Sequence, residues 1–368
     1  MLDSRGTVWL SGSNKRSQCN PLAEATDSSD HFRELDLSSL AGRALPEAEW
    51  RPVLITAAWE TTFICMRSED RDDVILVFGA NDWDEHGTGD AGEQSSLRCI
   101  SFAHLKSPQG SACLRVEALA SGPRNIVASL SSDDGGRLLL VGWGSARHGQ
   151  LGLDLSGKRK PPRTMPKPTL ISSYDSGQNV QIAVGREHTA MLVSDNKARR
   201  QVITLRGHNK HGQLCAEVSN EAIFEHELNS ALLSNWLGAD VRQELYAKSV
   251  SATWSGTYLV LSDYTILAWG ANSHHQLGQG PDFGDAHRPA VLRLPRILDL
   301  VELNLVAGSE HLLAKAKRRD GSVEVWAWGW NEHGNLGLGH TRDVCGSKTY
   351  MGRKRNELDF DRLGVATT

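Results

Sequence analysis

Seven histidines recur at regular places in this 368-residue chain, and imidazole is the side chain best suited to metal ligation or proton transfer near neutral pH. His86, His148, His211, His275 and His333 each follow a glycine-containing turn, and His188 and His311 belong to a second kind of turn. The run "VWAWGWNEHGNLGLGH" (325–340) concentrates the question, because His333 and His340 would suit a metal. Ligands must converge on one point, whereas residues repeated at a fixed period are carried to different points by a repeat fold. The spacing therefore predicts histidines that hydrogen-bond their own turns, with no metal and no cofactor. Other chemistry lacks its motifs. There is no GxSxG elbow and no GxxxxGKS phosphate loop, and the GxG triplets are not followed by a helix. The reading is a non-enzymatic protein.

The elements that position these residues are visible as two alternating signals. The first occurs at six places: "VWLSGSNKRSQ", "VFGANDWDEHG", "VGWGSARHGQLG", "TLRGHNKHGQL", "LAWGANSHHQLG" and "WAWGWNEHGNLG". Its glycines are Gly12, Gly79, Gly144, Gly207, Gly270 and Gly329, spaced 59 to 67 residues apart. The second reads "AAWETTFIC", "ASGPRNIVASL", "AVGREHTAMLV", "ATWSGTYLVL" and "VAGSEHLLAK". Its marker pairs, three apart, are read as Trp59/Thr62, Gly122/Asn125, Gly185/His188, Trp254/Thr257 and Gly308/His311, and "LGVATT" repeats it at Gly364 and Thr367. Runs such as "VILVFG", "RLLLVGWG" and "VEVWAWG" predict strands too short to stand alone. Units of about 60 residues hold roughly four such strands, which is a propeller blade, so the fold class expected is an all-β propeller over 1–368 as a single domain. One segment departs from the pattern. "EAIFEHELNSALLSNWLGADVRQELY" (221–246) has near-helical apolar spacing and predicts an inserted helix within 219–248.

Composition bounds the partners. Hydrophobic residues make up 39%, charged residues 23%, and the net charge is -4, which gives no overall footprint for nucleic acid. Lys158, Arg159, Lys160, Arg163 and Lys167 form a local basic stretch, but interleaved prolines make it a solvated loop. The six cysteines are scattered without a CxxC pair, no run approaches a membrane span, and no signal-peptide pattern opens the chain. A cytoplasmic location, with the nucleus as a second compartment, is expected.

The alternation of "WGxNxxGQLG" with "AxGxEHT" resembles the regulator of chromosome condensation repeat, whose members form seven-bladed propellers. "EWRPV", "WETT", "VAGSEH" and "WAWGWNEHGNLG" are similar, in that order, to the fungal alpha-tubulin-suppressor or killer-toxin-insensitivity family. Against that family this sequence is expected to lack about one blade at its start and a closing strand at its end. The resemblance implies an adaptor. That family forms a heterodimer with a small zinc- or iron-binding protein of diphthamide synthesis, and through it supports Elongator-dependent modification of wobble uridines in transfer RNA and diphthamide formation on elongation factor two. An exchange factor for a Ran-type GTPase is the alternative, as in the repeat's founding member, and a microtubule-related role is a third. Function is expected from a surface, with no direct nucleic-acid contact and no membrane. The candidate anchors are Trp59 with Glu60, Trp254, and Trp330 with Glu332 and His333, because two of the tryptophans stand where the repeat elsewhere has glycine. Core or inter-blade packing is the alternative reading for each.

Overall fold

The structure is a computed structural model, and it describes residues 1–24, 28–89, 97–106, 112–152, 161–195, 197–216, 223–238, 245–280, 282–294 and 297–345. Gly364, Thr367 and three of the basic residues, Lys158, Arg159 and Lys160, lie outside the described residues. Two compact units organise the chain. Among the described residues, one holds those up to Arg147 and the segment ending at Ser176, and the other holds the segment from His148 and residues 177 to 345.

In the first unit, β1 (Trp9–Gly12) and β2 (Ser29–Glu34) form a short antiparallel pair, followed by helix α1 (Leu37–Ala44). Then β3 (Arg51–Ala57), β4 (Thr61–Ser68), β5 (Arg71–Gly79) and β6 (Leu97–Ile100) make a four-stranded meander. A second meander comprises β7 (Leu114–Ser121), β8 (Asn125–Ser132), β9 (Leu138–Ser145) and β10 (Thr164–Tyr174). The second unit repeats the plan with β11 (Gln178–Val184), β12 (His188–Asp195), β13 (Arg200–Gly207) and β14 (Ile223–Glu227). Helix α2 (Ser230–Leu237) leads to β15 (Ala247–Ala252), β16 (Gly256–Leu261), β17 (Ile266–Gly270) and β18 (Ala286–Leu292). The last sheet has three strands, β19 (Leu300–Ala307), β20 (His311–Arg318) and β21 (Val323–Gly329), and Gly329 bridges to Val344 beyond them. No helix among the described residues is long and apolar enough to cross a membrane.

The second strand of each full sheet is buried along nearly its whole length, as in "TTFICM" of β4 and "GTYLVL" of β16. Continuous rather than alternating apolar runs follow from burial on both faces. The expected helix is shorter than the sequence pattern implied. Residues 223–227 are the fourth strand of their sheet, and α2 occupies 230–237 alone, while 219–222 and 239–244 lie outside the described residues. Asn229 caps it by accepting the Leu232 N–H at 2.9 Å, and Gly238 ends it in the left-handed conformation. Leu233 is fully buried, and Trp236 packs on Trp269 at 6.0 Å between ring centroids. The helix thus docks on its own unit.

Candidate interaction site

Both sequence signals meet at one end of every sheet except the short β1–β2 pair. In every first-signal turn the glycine has positive φ, from +90° at Gly144 to +120° at Gly12. A Cβ on Gly79 or Gly207 would lie 2.2 Å from a carbonyl oxygen, that of Glu60 or Glu187, so no other residue fits. The residue after the glycine donates its N–H to that same oxygen: Ala80 to Glu60, Ser145 to Arg124, His208 to Glu187, Ala271 to Ser255 and Trp330 to Glu310, at 2.8 to 2.9 Å. The asparagine two places after the glycine then shapes the turn. Asn14, Asn81, Asn209, Asn272 and Asn331 each accept, through Oδ1, a backbone N–H five residues on.

This clasp corrects the register of the second signal. Glu60, Arg124, Glu187, Ser255 and Glu310 are equivalent, so Thr61, Asn125, His188, Gly256 and His311 are equivalent too, each pairing with its signal glycine across the sheet. The partners of Gly185/His188 are therefore Ala58/Thr61 and Thr253/Gly256, one residue before the expected Trp59/Thr62 and Trp254/Thr257. Trp59 and Trp254 do not replace the glycine. They occupy the next position, with Pro123, Arg186 and Ser309, where backbone bonds run from one repeat to the next: Trp59 N–H to Pro123 O, Arg186 N–H to Trp254 O and Trp254 N–H to Ser309 O. The glycine itself has a local cause. A Cβ at Gly185 or Gly308 would sit 2.2 Å from Cε1 of its own His188 or His311. Where the partner is the smaller Thr61 or Gly256, Ala58 and Thr253 fit instead.

In four repeats the same register brings the fourth residue after the signal glycine against the clasp residue of the next repeat. Arg16 lies 3.9 Å from the Glu60 carboxylate, His148 3.2 Å from Glu187, and His274 3.2 Å from Glu310. At Trp83 the pair becomes aromatic and cationic, with the Arg124 guanidinium 4.6 Å above the indole and Arg163 and Arg147 at 5.0 and 5.5 Å. Where the clasp residue is Ser255, His211 binds Asp285 at 2.7 Å. The equivalent histidine of the fifth repeat is thus His274, not His275, which has a φ of +62°. His86 does not belong to this column. It lies buried, with Nε2 3.1 Å from Gly79 O, and burial lowers its pKa to about 4.

Among the expected anchors, Trp59 is 65% exposed. Trp254 is half-buried, with the Arg186 guanidinium 5.7 Å from its ring. Trp330, Glu332 and His333 do come together: the indole N–H donates to Glu332 Oε2 at 3.3 Å, and the His333 ring meets it edge-on at 5.2 Å. The His274 ring also lies 6.0 Å from that of Trp330, and its Nδ1 lies 2.8 Å from Asp343. His340 serves the turn, since Asn331 Nδ2 donates to its carbonyl at 2.8 Å. Sequence reading missed Trp83 with its arginines, His274, and the cluster of His148, Glu187 and His208. Counting four residues from each signal glycine would have found the first two.

Repeated four-stranded antiparallel meanders joined by these turns define a β-propeller fold. Residues 140–192 match the model of the Regulator of chromosome condensation (RCC1) repeat. It is similar to crystal structures of human WBSCR16, with a TM-score of 0.61 and 18% identity over 92% of this chain and 75% of that one, and of Saccharomyces cerevisiae Prp20p, at 0.58 and 16% over 94% and 85%. Among curated relatives it is 27% identical over 330 residues to the secretion-regulating guanine nucleotide exchange factor of Bos taurus, covering 81% of this chain and 59% of that protein. It is 28% identical over 231 residues to the ultraviolet-B receptor UVR8 of Arabidopsis thaliana, covering 62% and 44%, so it spans about half the length of these relatives. An RCC1 repeat-containing protein of Schizosaccharomyces pombe is 25% identical over 95% of this chain and 80% of its own.

Proposed function

We propose that the chain is a non-catalytic docking protein whose contact surface includes the turn bearing Trp330. The observation that carries this reading is the cluster of Trp330, Glu332, His333 and His274. A half-buried indole is held by an exposed acid and two imidazoles, which suits a rigid aromatic anchor with a polar rim. The partner proposed is the small zinc- or iron-carrying protein of diphthamide synthesis, as a heterodimer acting in cytoplasm and nucleus. The adaptor would serve Elongator-dependent wobble-uridine modification and diphthamide formation. This choice rests on the motifs shared with the alpha-tubulin-suppressor family. The test is titration calorimetry of the two purified proteins under reducing conditions. Trp330→Ala is expected to weaken binding by about 2 kcal/mol while leaving the melting temperature unchanged; no heat of binding with the native chain overturns the reading.

Similarity to the Bos taurus exchange factor over 81% of this chain favours a second reading, nucleotide exchange on a Ran-type small GTPase. Release of labelled guanosine diphosphate from the GTPase, faster with the chain than without it, would establish that activity.

A further inference from the structure

We propose that His148, Glu187 and His208 bind one transition-metal dication of the zinc class, with solvent completing the coordination. All three belong to the second unit, and their donor atoms lie within 4.8 Å of one another. His148 Nε2 is 3.2 Å from one carboxylate oxygen of Glu187, and His208 Nδ1 is 3.1 Å from the other. A tetrahedral zinc ion with bonds of about 2.0–2.1 Å sets neighbouring donor atoms roughly 3.3 Å apart, so only small movements would seat the ion. Two imidazoles and one carboxylate are a donor set that borderline metals prefer over magnesium or calcium.

The repeat provides an internal control. A fourth-position histidine facing an acid occurs again at His274 and Glu310, and that pair accounts for two of the groups without any metal. What it does not account for is His208. The residue after the signal glycine is Ser13, Ala80, Ser145, Ala271 or Trp330 in the other repeats, and none of these supplies a nitrogen ligand. At position 208 an imidazole stands instead, its ring 4.9 Å from that of His148 and tilted by 31°. The backbone fixes its place, because the His208 N–H donates to Glu187 O at 2.9 Å, the same clasp that positions every repeat. The His148 N–H is likewise held by Gln150 Oε1 at 3.0 Å. The backbone positions of two ligands are therefore fixed by the turn geometry.

Exposure suits an accessible site. The side chains of His148, Glu187 and His208 are 24%, 25% and 39% exposed, so an ion can enter and keep water as a remaining ligand. Protons and metal compete for the same imidazole nitrogens, so binding weakens as the solution is acidified.

The experiment is calorimetric titration of the metal-free full chain with Zn²⁺ at pH 7.5, repeated with Co²⁺ to read coordination from its visible spectrum. One ion per chain is expected, with a spectrum of low coordination number. His208→Ala and Glu187→Gln should each lower affinity at least tenfold, while His274→Ala leaves it unchanged. Alanine stands at the position of His208 in two other repeats, so that variant is compatible with the turn, and circular dichroism checks its fold. Binding that survives His208→Ala, binding lost equally in His274→Ala, or no Zn²⁺ uptake by the native chain would each overturn the proposal. None of these outcomes depends on the docking partner.

Discussion

Glu85 stands six residues after Gly79, where Gln18, Gln150, Gln213 and Gln276 stand in four other repeats. Those glutamines accept, through Oε1, the N–H of the residue two before them, and Glu85 does the same for Trp83 at 2.7 Å. Only 4% of it is exposed, and burial raises its pKa from 4.5 to about 7. The folded chain therefore holds a proton that the unfolded chain releases, and its stabilising share is lost as pH rises from about 4.5 to 7. Glu85→Gln is expected to stabilise the chain by about 2–3 kcal/mol above pH 7 and to give no gain at pH 4.5, measured by urea unfolding at both values. His188 has the opposite sign. Fully buried with Nε2 3.0 Å from Thr257 Oγ1, it is held neutral, with a pKa lowered to about 4 by burial. Its contribution is complete above pH 6.5 and is lost as pH falls through about 4. Asn125 occupies the equivalent place, so His188→Asn should flatten the fall in melting temperature between pH 6.5 and 4, whatever it does at pH 8.

At the scale of the element, the turn pair of the second signal is a matched volume. Gly/His, Ala/Thr and Thr/Gly occupy it in different repeats, and each combination fills the same space. Gly308→Ala should cost about 1–3 kcal/mol by overpacking against the His311 ring, and a second change, His311→Thr, should restore much of it, as in Ala58/Thr61. Scanning calorimetry of the single and double variants would reveal non-additivity; additive losses would refute the pairing. This trade between partners also explains what the sequence made legible. The first signal could be read directly because a glycine of positive φ and a turn-forming asparagine tolerate few substitutes. The second could not be placed to the residue, since its register is written in backbone bonds while side-chain identities exchange. Trp59 and Trp254 drew the alignment forward by one residue because they are conspicuous. The adjacent His274 and His275 did the same in the fifth repeat. The helical pattern overreaches because Phe224 and Leu228 fall at helical spacing from Leu232 and Trp236 by coincidence, although residue 224 belongs to β14. Helix α1 is not legible in the sequence because eight residues with apolar Leu37, Leu40, Ala41 and Ala44 give too short a period to stand out. The cluster at His148 joins three turn positions of different kinds, so no single period could have announced it.

At the scale of the whole molecule, three buried tryptophans tie repeats together. Trp143, Trp269 and Trp328 precede their signal glycines, and their indole N–H groups donate to Glu85 O, Gln213 O and Gln276 O at 2.8 to 3.0 Å. Trp143 also meets Phe63 and Phe102 edge-on, each at 6.4 Å. Phe78 fills the same place in the sheet of β3 to β6, so Trp143→Phe keeps an aromatic ring and removes the donor. The expected loss is about 1–3 kcal/mol, read as a lower urea midpoint with an unchanged slope.

Those three indoles also impose an order in time. Each donor is 58, 56 or 52 residues later in the chain than the carbonyl it satisfies. A ribosome releases the acceptor turn well before the tryptophan has been translated. During synthesis, each such turn must therefore wait, wet and incomplete, until the next repeat emerges, and the nascent protein matures about one repeat behind its own elongation.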